Sequence, residues 1–145
     1  MKNRLMYVTS QPDLWKDTDP IHPDLGVDFK TAPGRSVVGL KGPDGDWKAF
    51  MCYARTTGVP KDLKDLETMT DPAGEIVVPY TVWSLQKGFG RQIINAVIDL
   101  VQALDSATLR VVTLSPLTEM ARKFHTRNGA VEFRKNTETV NFEYY

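Results

Sequence analysis

The sequence predicts an α+β domain in which helices flank a mixed β-sheet. Residues 77–83 form a short apolar run, rich in β-branched and aromatic side chains, that is typical of a buried strand. A turn with Gly88 and Gly90 follows, and apolar residues then recur at helical spacing. A second buried strand is expected at residues 109–114, so residues 77–114 should form a right-handed parallel crossover.

Length and composition indicate one domain that spans residues 1–145. The 18 basic and 18 acidic residues cancel, which gives no general attraction to nucleic acid or to a membrane surface. No apolar run is long enough to cross a membrane, and the N-terminus lacks the pattern of a signal peptide. A cytoplasmic location is therefore expected.

The cysteine and histidine content favours neither a disulfide nor a metal site. Cys52, the one cysteine of the sequence, lies in an apolar run, which favours a buried thiol over a nucleophile. Together with two histidines it is too little for a cluster of metal ligands, so no metal is expected. His22, next to Pro23, is interpreted as a surface histidine.

The part of the chain before the crossover is predicted to be mostly β-structure. Residues 10–34 are dense in Pro, Asp and Gly, which predicts an ordered loop with at most one helical turn. A turn over residues 42–45 joins two strands, the second of which is apolar on both faces and so expected to be central. The regular segments are strands at residues 4–9, 35–40 and 47–55 and a short helix near 62–68.

After the long helix, whose apolar period ends at residues 105–106, a second helix is predicted to begin at Ser115 and Pro116. Serine is a good N-cap and proline a good first residue. Asn128 and Gly129 would end this helix, and residues 130–134 and 139–145 would form a closing antiparallel hairpin. The expected apolar stripe of this second helix consists of Leu117, Met120, Ala121 and Phe124.

The turn at residues 86–91 lies at the N-terminus of the long helix. Free backbone N–H groups and the helix dipole make such a turn suitable for an anion. It has neither the third glycine of a dinucleotide-binding motif nor the Gly-Lys-Ser/Thr of a nucleotide P-loop. From spacing alone, a ligand that carries phosphate and a purely structural turn both remain open.

The pattern resembles the GNAT superfamily of acyl-CoA enzymes. The strand, the segment Gln86-Lys87-Gly88-Phe89-Gly90 and the long helix resemble its pyrophosphate-binding motif. The strand and helix over residues 109–130 and the closing hairpin resemble the elements that follow in that family. Two positions depart from the family pattern: Leu85 stands where Arg or Gln is usual, and His125 stands where a general-acid Tyr is frequent.

Within that superfamily the sequence resembles the malonyl-CoA decarboxylases. Residues 113–116 (Thr-Leu-Ser-Pro), 124–130 (Phe-His-x-x-Asn-Gly-Ala) and 86–89 resemble their signatures, over a match of residues 21–145. Two smaller matches lie at residues 33–35 and 140–144. The resemblance implies that Ser115 and His125 are a catalytic pair. The chain lacks the helical domain of that family and its long insertion between the two catalytic segments. Without the insertion the groove should be more open, which favours transfer to a separate acceptor over decarboxylation.

The resemblance also implies acetyl-CoA or another acyl-CoA as co-substrate, with its pyrophosphate on the amides of residues 86–91 and its pantetheine arm along the strand. Lys87 and Arg91 could add positive charge at the pyrophosphate. That they are ordinary surface residues in contact with solvent is an equally good interpretation. Trp83 is expected in the core or groove wall, as is Phe89. The residues implicated in cofactor binding are Tyr80, Val82, Ser84, Gln86, Lys87, Gly88, Phe89, Gly90 and Arg91.

Three functions are consistent with these features. The favoured one is transfer of an acetyl group from acetyl-CoA to an amine, with His125 as acid or base; the acceptor is a small amine, a protein amine or a modified nucleobase. The second is decarboxylation of malonyl-CoA by Ser115 and His125, although Ser115 is also explained as a helix cap. The third is an inactive module that binds CoA or a protein. Edge strands of the closing hairpin could also pair in a homodimer.

Overall fold

The computed structural model describes residues 2–104 and 107–145, which contain eight strands and four α-helices. The strands are β1 (Arg4–Tyr7), β2 (Arg35–Lys41), β3 (Trp47–Thr56), β4 (Ile76–Ser84), β5 (Arg110–Val112), β6 (Ser115–Pro116), β7 (Val131–Lys135) and β8 (Thr139–Tyr144). The helices are α1 (Val27–Lys30), α2 (Leu63–Met69), α3 (Phe89–Leu104) and α4 (Glu119–Arg127), and a 3-10 turn covers Pro12–Leu14. The expected end of the long helix at residues 105–106 lies outside the described residues.

The strands form one mixed sheet in the order β1-β2-β3-β4-β5-β8-β6, and β7 also pairs with β8. β4 and β5 are parallel, with Ile76 opposite Arg110 and Val77 opposite Val111. The other strand pairs of the described chain are antiparallel. Because α3 lies between the two parallel strands in the chain, the expected parallel pairing and the mixed sheet are confirmed.

Each face of the sheet carries its own apolar core. On one face, Ile93 and Val97 of α3 pack with strand residues such as Val77. On the other face, Trp15 and Leu66 belong to a second cluster. β3 contributes side chains to both clusters, which explains why its sequence is apolar at successive positions.

Cys52 of β3 is fully buried in the second cluster. Burial raises the pKa of its thiol, because the thiolate would have to form without solvation. This agrees with the expected buried and unreactive thiol.

The prediction that Ser115 caps the last helix is wrong. Ser115 and Pro116 form β6 and pair with β8, and α4 begins at Glu119. The N-cap is Thr118, whose hydroxyl accepts a hydrogen bond from a backbone N–H of the first turn. By sequence alone, a helix could begin either at Ser115-Pro116 or at Thr118-Glu119. The pairing of Ser115 and Pro116 with β8 leaves Thr118 as the start of the helix.

Three other expectations are corrected at the level of residues. The loop over residues 10–34 contains two short helical elements, the 3-10 turn and α1, and not one at most. Leu109 is exposed, and β5 begins after it. In the expected apolar stripe, Leu117 precedes α4 and is 41% exposed, while Met120 is 79% exposed, so neither belongs to the core.

A buried ion pair fixes the loop before α1 to β4. Lys30 Nζ lies 2.9 Å from Asp19 Oδ2, and both side chains are 1% exposed. The hydroxyl of Thr81 in β4 donates to the same carboxylate oxygen at 3.0 Å. The ring of Trp83 lies 5.1 Å from Lys30 Nζ. These contacts hold residues 20–21 beside β4.

Asp19→Ala should lower the free energy of unfolding by about 3–5 kcal/mol, because Lys30 would remain charged and unpaired in the core. Urea denaturation of the two proteins measures this difference. The control is Asp13→Ala, which removes an exposed carboxylate 3.3 Å from Lys16 and should change stability little. Equal losses from the two substitutions would contradict the account.

Candidate active site

The candidate site lies where β4 and β5 separate. Beyond their paired residues, the N–H of Leu114 donates to the carbonyl of Pro79 at 2.9 Å. β4 continues as far as Ser84, whereas the chain after β5 turns to pair with β8. The separation forms a groove of about 360 Å³. Residues of the loop before α1, of β4, of β6 and of α4 line it.

A β-bulge at Tyr80 alters the direction of side chains in β4. Thr81 lies opposite Cys52 and Pro79 lies opposite Tyr53, so Tyr80 is the additional residue. Its side chain is buried in the second cluster and packs edge-on against an aromatic ring of α1. Tyr80 therefore lines the groove while its ring belongs to the core on that face of the sheet.

The predicted pyrophosphate-binding turn follows β4 directly and leads into α3. Gly88 has a φ of 91°, a left-handed conformation that residues with a Cβ adopt only with strain. Gln86, Lys87 and Arg91 are exposed around this turn. These three residues do not line the groove. They lie at the N-terminus of α3, directly after the strand β4 that forms one wall of the groove.

Four of the predicted binding residues line the groove itself: Tyr80, Val82, Ser84 and Gly90. Gly90 is buried, and a Cβ at this position would lie 3.4 Å from the Phe124 ring of α4. The absence of a side chain therefore permits α3 and α4 to approach at the groove. Trp83 is buried and also lines the groove, and Phe89 is partly buried against the core.

Ser115 and His125, the predicted catalytic pair, contact each other at the groove. Ser115 Oγ lies 3.1 Å from His125 Nε2. On the opposite side of the imidazole ring, Nδ1 lies 2.6 Å from the hydroxyl oxygen of Tyr144 in β8. The ring also stacks on Phe142, with 5.1 Å between centroids. These contacts from β6 and β8 fix the orientation of the imidazole.

The histidine of this pair is uncharged at neutral pH. His125 is 7% exposed, and burial lowers its pKa to about 4. Burial also raises the pKa of the Tyr144 hydroxyl. The site therefore contains a neutral imidazole between two protonated hydroxyl groups.

Ser115 has a second buried partner. Its Oγ lies 2.7 Å from Thr113 Oγ1, and Thr113 Oγ1 accepts a hydrogen bond from the N–H of Phe142 at 3.1 Å. The side chain of Asn141, which is fully buried, donates to the carbonyl of Thr113 at 2.8 Å. β8 thus positions the segment that carries Ser115.

Sequence reasoning did not identify Thr113 or Tyr144 as members of the site. The signal was present, because both lie in segments that carried the resemblance to decarboxylases, at residues 113–116 and 140–144. What the sequence could not supply was their contact with Ser115 and His125, which depends on the pairing of β8 with β5 and β6.

A second cleft, of about 1060 Å³, adjoins the groove at β6. Leu114, Ser115 and Pro116 line both cavities. The second cleft is bounded by the beginning of α2 and by the β7–β8 hairpin. His22, which is half-buried, also lines it. Its charged lining residues are Lys61, Asp62, Lys64, Arg134, Lys135 and Glu138.

The two cavities differ in charge. Within the described chain, no Asp, Glu, Lys or Arg side chain lines the groove between β4 and α4, whereas the second cleft has both signs of charge. No three His, Cys, Asp or Glu residues of the described ranges are grouped so that they could hold a metal ion. None of the helices found in these ranges is long and apolar enough to span a membrane.

Neither a protein-family model nor a curated protein sequence matches the chain. Several solved structures have a similar fold. Malonyl-CoA decarboxylase from Agrobacterium vitis is 20% identical, with a TM-score of 0.66, over 93% of this chain and 39% of that one. The GNAT-like decarboxylase GphF, solved with isobutyryl-CoA, is 14% identical, with a TM-score of 0.74, over 97% of this chain and 98% of that one.

An aminoglycoside acetyltransferase solved with coenzyme A is also similar, with 16% identity and a TM-score of 0.68 over 99% of this chain and 93% of that one. The chain spans 39% of the length of the Agrobacterium decarboxylase. These similarities confirm the GNAT-like acyltransferase fold that the sequence predicts, with its resemblance to malonyl-CoA decarboxylases.

The low pKa of His125 predicts a specific dependence of stability on pH. Between pH 7 and pH 5 the unfolded chain takes up a proton at this residue while the folded protein does not. The free energy of unfolding therefore decreases as the pH is lowered. The contribution should be about 2 kcal/mol, from an ordinary pKa near 6.5 and a folded pKa near 4.

Urea denaturation at several pH values tests this contribution. His125→Asn should weaken the loss of stability between pH 7 and pH 5, and the control His22→Gln should retain it. An unchanged pH dependence in His125→Asn would show that the imidazole is not held neutral in the folded state.

Proposed function

We propose that the protein is a GNAT-fold enzyme that decarboxylates a CoA thioester of the malonyl type. The proposal rests on one observation: a hydrogen-bonded Ser115–His125 pair lies at a groove whose described lining residues include no Asp, Glu, Lys or Arg. Acyl-CoA remains the expected substrate. The preference drawn from sequence, acetyl transfer to an amine, becomes the second candidate.

The pyrophosphate of CoA would bind at the turn over residues 86–91. Backbone N–H groups at the N-terminus of α3 would accept the negative charge, and Lys87 and Arg91 would add charge-assisted contacts. From there the pantetheine arm would follow the β4 segment over residues 80–84, on the side where β5 has separated from it. This path directs the thioester toward Ser115.

Decarboxylation breaks the bond between the α-carbon and the carboxylate, and CO₂ leaves. The electron pair moves to the α-carbon and is delocalised onto the thioester oxygen as an enolate. A proton that comes from solvent then adds to the α-carbon, so malonyl-CoA and one proton give acetyl-CoA and CO₂. A backbone N–H of β4 and the Ser115 hydroxyl are suitable donors to the developing negative charge.

Two features of the groove favour this reaction over N-acetylation. An amine acceptor is charged at neutral pH and must lose a proton, but no described carboxylate lines the groove to receive it, and His125 already has partners on both nitrogens. An uncharged groove also destabilises a bound carboxylate relative to the delocalised enolate that follows loss of CO₂.

The size of the chain does not oppose the proposal. The missing insertion of the larger decarboxylases was the sequence-based reason to prefer acyl transfer. The GNAT-like decarboxylase GphF matches this chain over 98% of its own length, so an activity of this class occurs in a domain of this size. The insertion is not a requirement for it.

The second candidate function is acyl transfer from acyl-CoA to an acceptor. The specific observation in its favour is the second cleft, which also has Ser115 in its lining. An acceptor in that cleft would approach the thioester without passing along the CoA path. This reaction would release CoA only when an acceptor is present.

Lys87→Ala and Arg91→Ala should each weaken CoA binding roughly 3- to 10-fold, because each removes a charge-assisted contact to the pyrophosphate. Isothermal titration calorimetry at low and high salt measures the effect, which should decrease as salt screens the charges. Lys123→Ala, an exposed lysine of α4, is the control for loss of charge.

Acetyl-pantetheine provides a matched ligand, since it lacks the pyrophosphate. Its affinity should not change in Lys87→Ala or Arg91→Ala. If both substitutions left CoA affinity unchanged, the pyrophosphate would bind elsewhere and the proposed path would be wrong.

Purified protein incubated with malonyl-CoA, without an acceptor, should form acetyl-CoA that mass spectrometry detects. Ser115→Ala and His125→Asn should each lower kcat/KM by about 10²-fold or more, the usual effect of losing a donor to an oxyanion or the residue that orients it. Thr126→Ala, which removes an exposed hydroxyl next to His125, is the control and should remain active.

Absence of acetyl-CoA from a folded protein that binds CoA would exclude decarboxylation of malonyl-CoA. Release of CoA from acetyl-CoA only after addition of an amine would establish the second candidate instead.

A further inference from the structure

The polar contacts around Ser115 and His125 form one continuous chain of hydrogen bonds. The hydroxyl of Tyr144 lies 2.6 Å from His125 Nδ1. His125 Nε2 lies 3.1 Å from Ser115 Oγ, and Ser115 Oγ lies 2.7 Å from Thr113 Oγ1. A hydroxyl group has one proton to donate, so the groups at the two ends determine the direction of every bond between them.

At one end, Thr113 must donate to Ser115. Thr113 Oγ1 already accepts a hydrogen bond from the N–H of Phe142, and Thr113 is 1% exposed. If Ser115 donated to it as well, the Thr113 proton would be buried without an acceptor, at a cost of about 1–3 kcal/mol. Donation from Thr113 to Ser115 Oγ satisfies both groups.

At the other end, the same reasoning makes Tyr144 a donor to His125. Tyr144 is 5% exposed, so an Nδ1–H that donated to its oxygen would leave the phenol proton buried without an acceptor in this chain of hydrogen bonds. The buried phenol keeps its own proton, and Nδ1 of His125 is the acceptor within reach at 2.6 Å. The proton of the neutral imidazole must then reside on Nε2, which faces Ser115.

We infer that Tyr144 and Thr113 are positioning residues that hold His125 as its Nε2–H tautomer and direct the Ser115 hydroxyl proton into the groove. Ser115 Oγ accepts one hydrogen bond from Thr113 and one from His125 Nε2–H, which uses both of its lone pairs. Its own proton then has no acceptor among the described protein atoms, and Ser115 lines the groove.

This arrangement specifies what a ligand must present at Ser115. The ligand atom beside Ser115 Oγ must accept a hydrogen bond, as a thioester oxygen, an enolate oxygen or a carboxylate does. In this state His125 cannot remove the Ser115 proton, because its Nε2 already carries one. Ser115 is therefore a hydrogen-bond donor to the ligand, not a nucleophile activated by histidine; this step alone rests on the proposed function.

The tautomer of His125 can be measured directly by NMR of protein labelled with ¹⁵N in its two histidines. Long-range ¹H–¹⁵N correlation spectra at pH 7 distinguish the two neutral tautomers by the pattern of ring couplings. His22→Gln simplifies the spectrum and assigns the remaining signals to His125. The Nε2–H pattern is expected, and the Nδ1–H pattern would overturn the inference.

Tyr144→Phe should shift the ¹⁵N signal of Nδ1 toward the frequency of an unbonded nitrogen, because the donor to Nδ1 is removed. Thr126→Ala, whose hydroxyl lies outside the hydrogen-bond chain, should leave both ring signals unchanged. An unshifted Nδ1 signal in a folded Tyr144→Phe protein would contradict the role of Tyr144. If this variant does not fold, the wild-type spectrum still decides the tautomer.

The donor role of Ser115 is tested by titration with acetyl-CoA. Ser115→Ala should raise the Kd about 2- to 10-fold, the usual effect of losing one hydrogen bond. Equal affinities would overturn the proposed contact. An Nε2–H tautomer without turnover of malonyl-CoA would refute the proposed function and leave the assignment of the protons intact, so the two failures are distinguishable.

Discussion

The separation of β4 from β5 is the constraint on which the candidate site depends. The two strands pair at Ile76–Arg110 and Val77–Val111, and the chain after β5 then passes to β8. Beyond Pro79, β4 therefore presents one side of its backbone to a groove instead of to a neighbouring strand. The same departure of the chain places Ser115 at the groove, so the binding path and the polar pair have one structural origin.

The chemistry of the site follows from the burial of His125 in surroundings that contain no charged side chain among the described residues. His125 is held neutral by its surroundings, and Phe142, Tyr144 and Ser115 occupy its face and both of its nitrogens. A neutral imidazole in this position orients a hydroxyl proton more readily than it removes one. The charged residues lie at the two ends of the site instead, around the turn at residues 86–91 and in the second cleft.

The sequence predicted those parts of the molecule that local patterns encode. The strand–turn–helix unit at residues 77–104 followed from hydrophobic period and glycine position, and Ser115 and His125 followed from motif resemblance. Contacts between distant segments could not be predicted in this way. The pairing of β6 with β8 overrode the local signal for a helix cap at Ser115, and the Asp19–Thr81 contact joins residues that local patterns do not relate.

The most direct test of the account is a crystal structure of the protein with acetyl-CoA, the expected product. The account predicts the pyrophosphate on the backbone N–H groups of residues 86–91 and the pantetheine arm along β4. It also predicts the thioester oxygen at hydrogen-bonding distance, about 2.5–3.0 Å, from Ser115 Oγ. CoA bound elsewhere, or an acetyl group directed away from Ser115, would contradict the account.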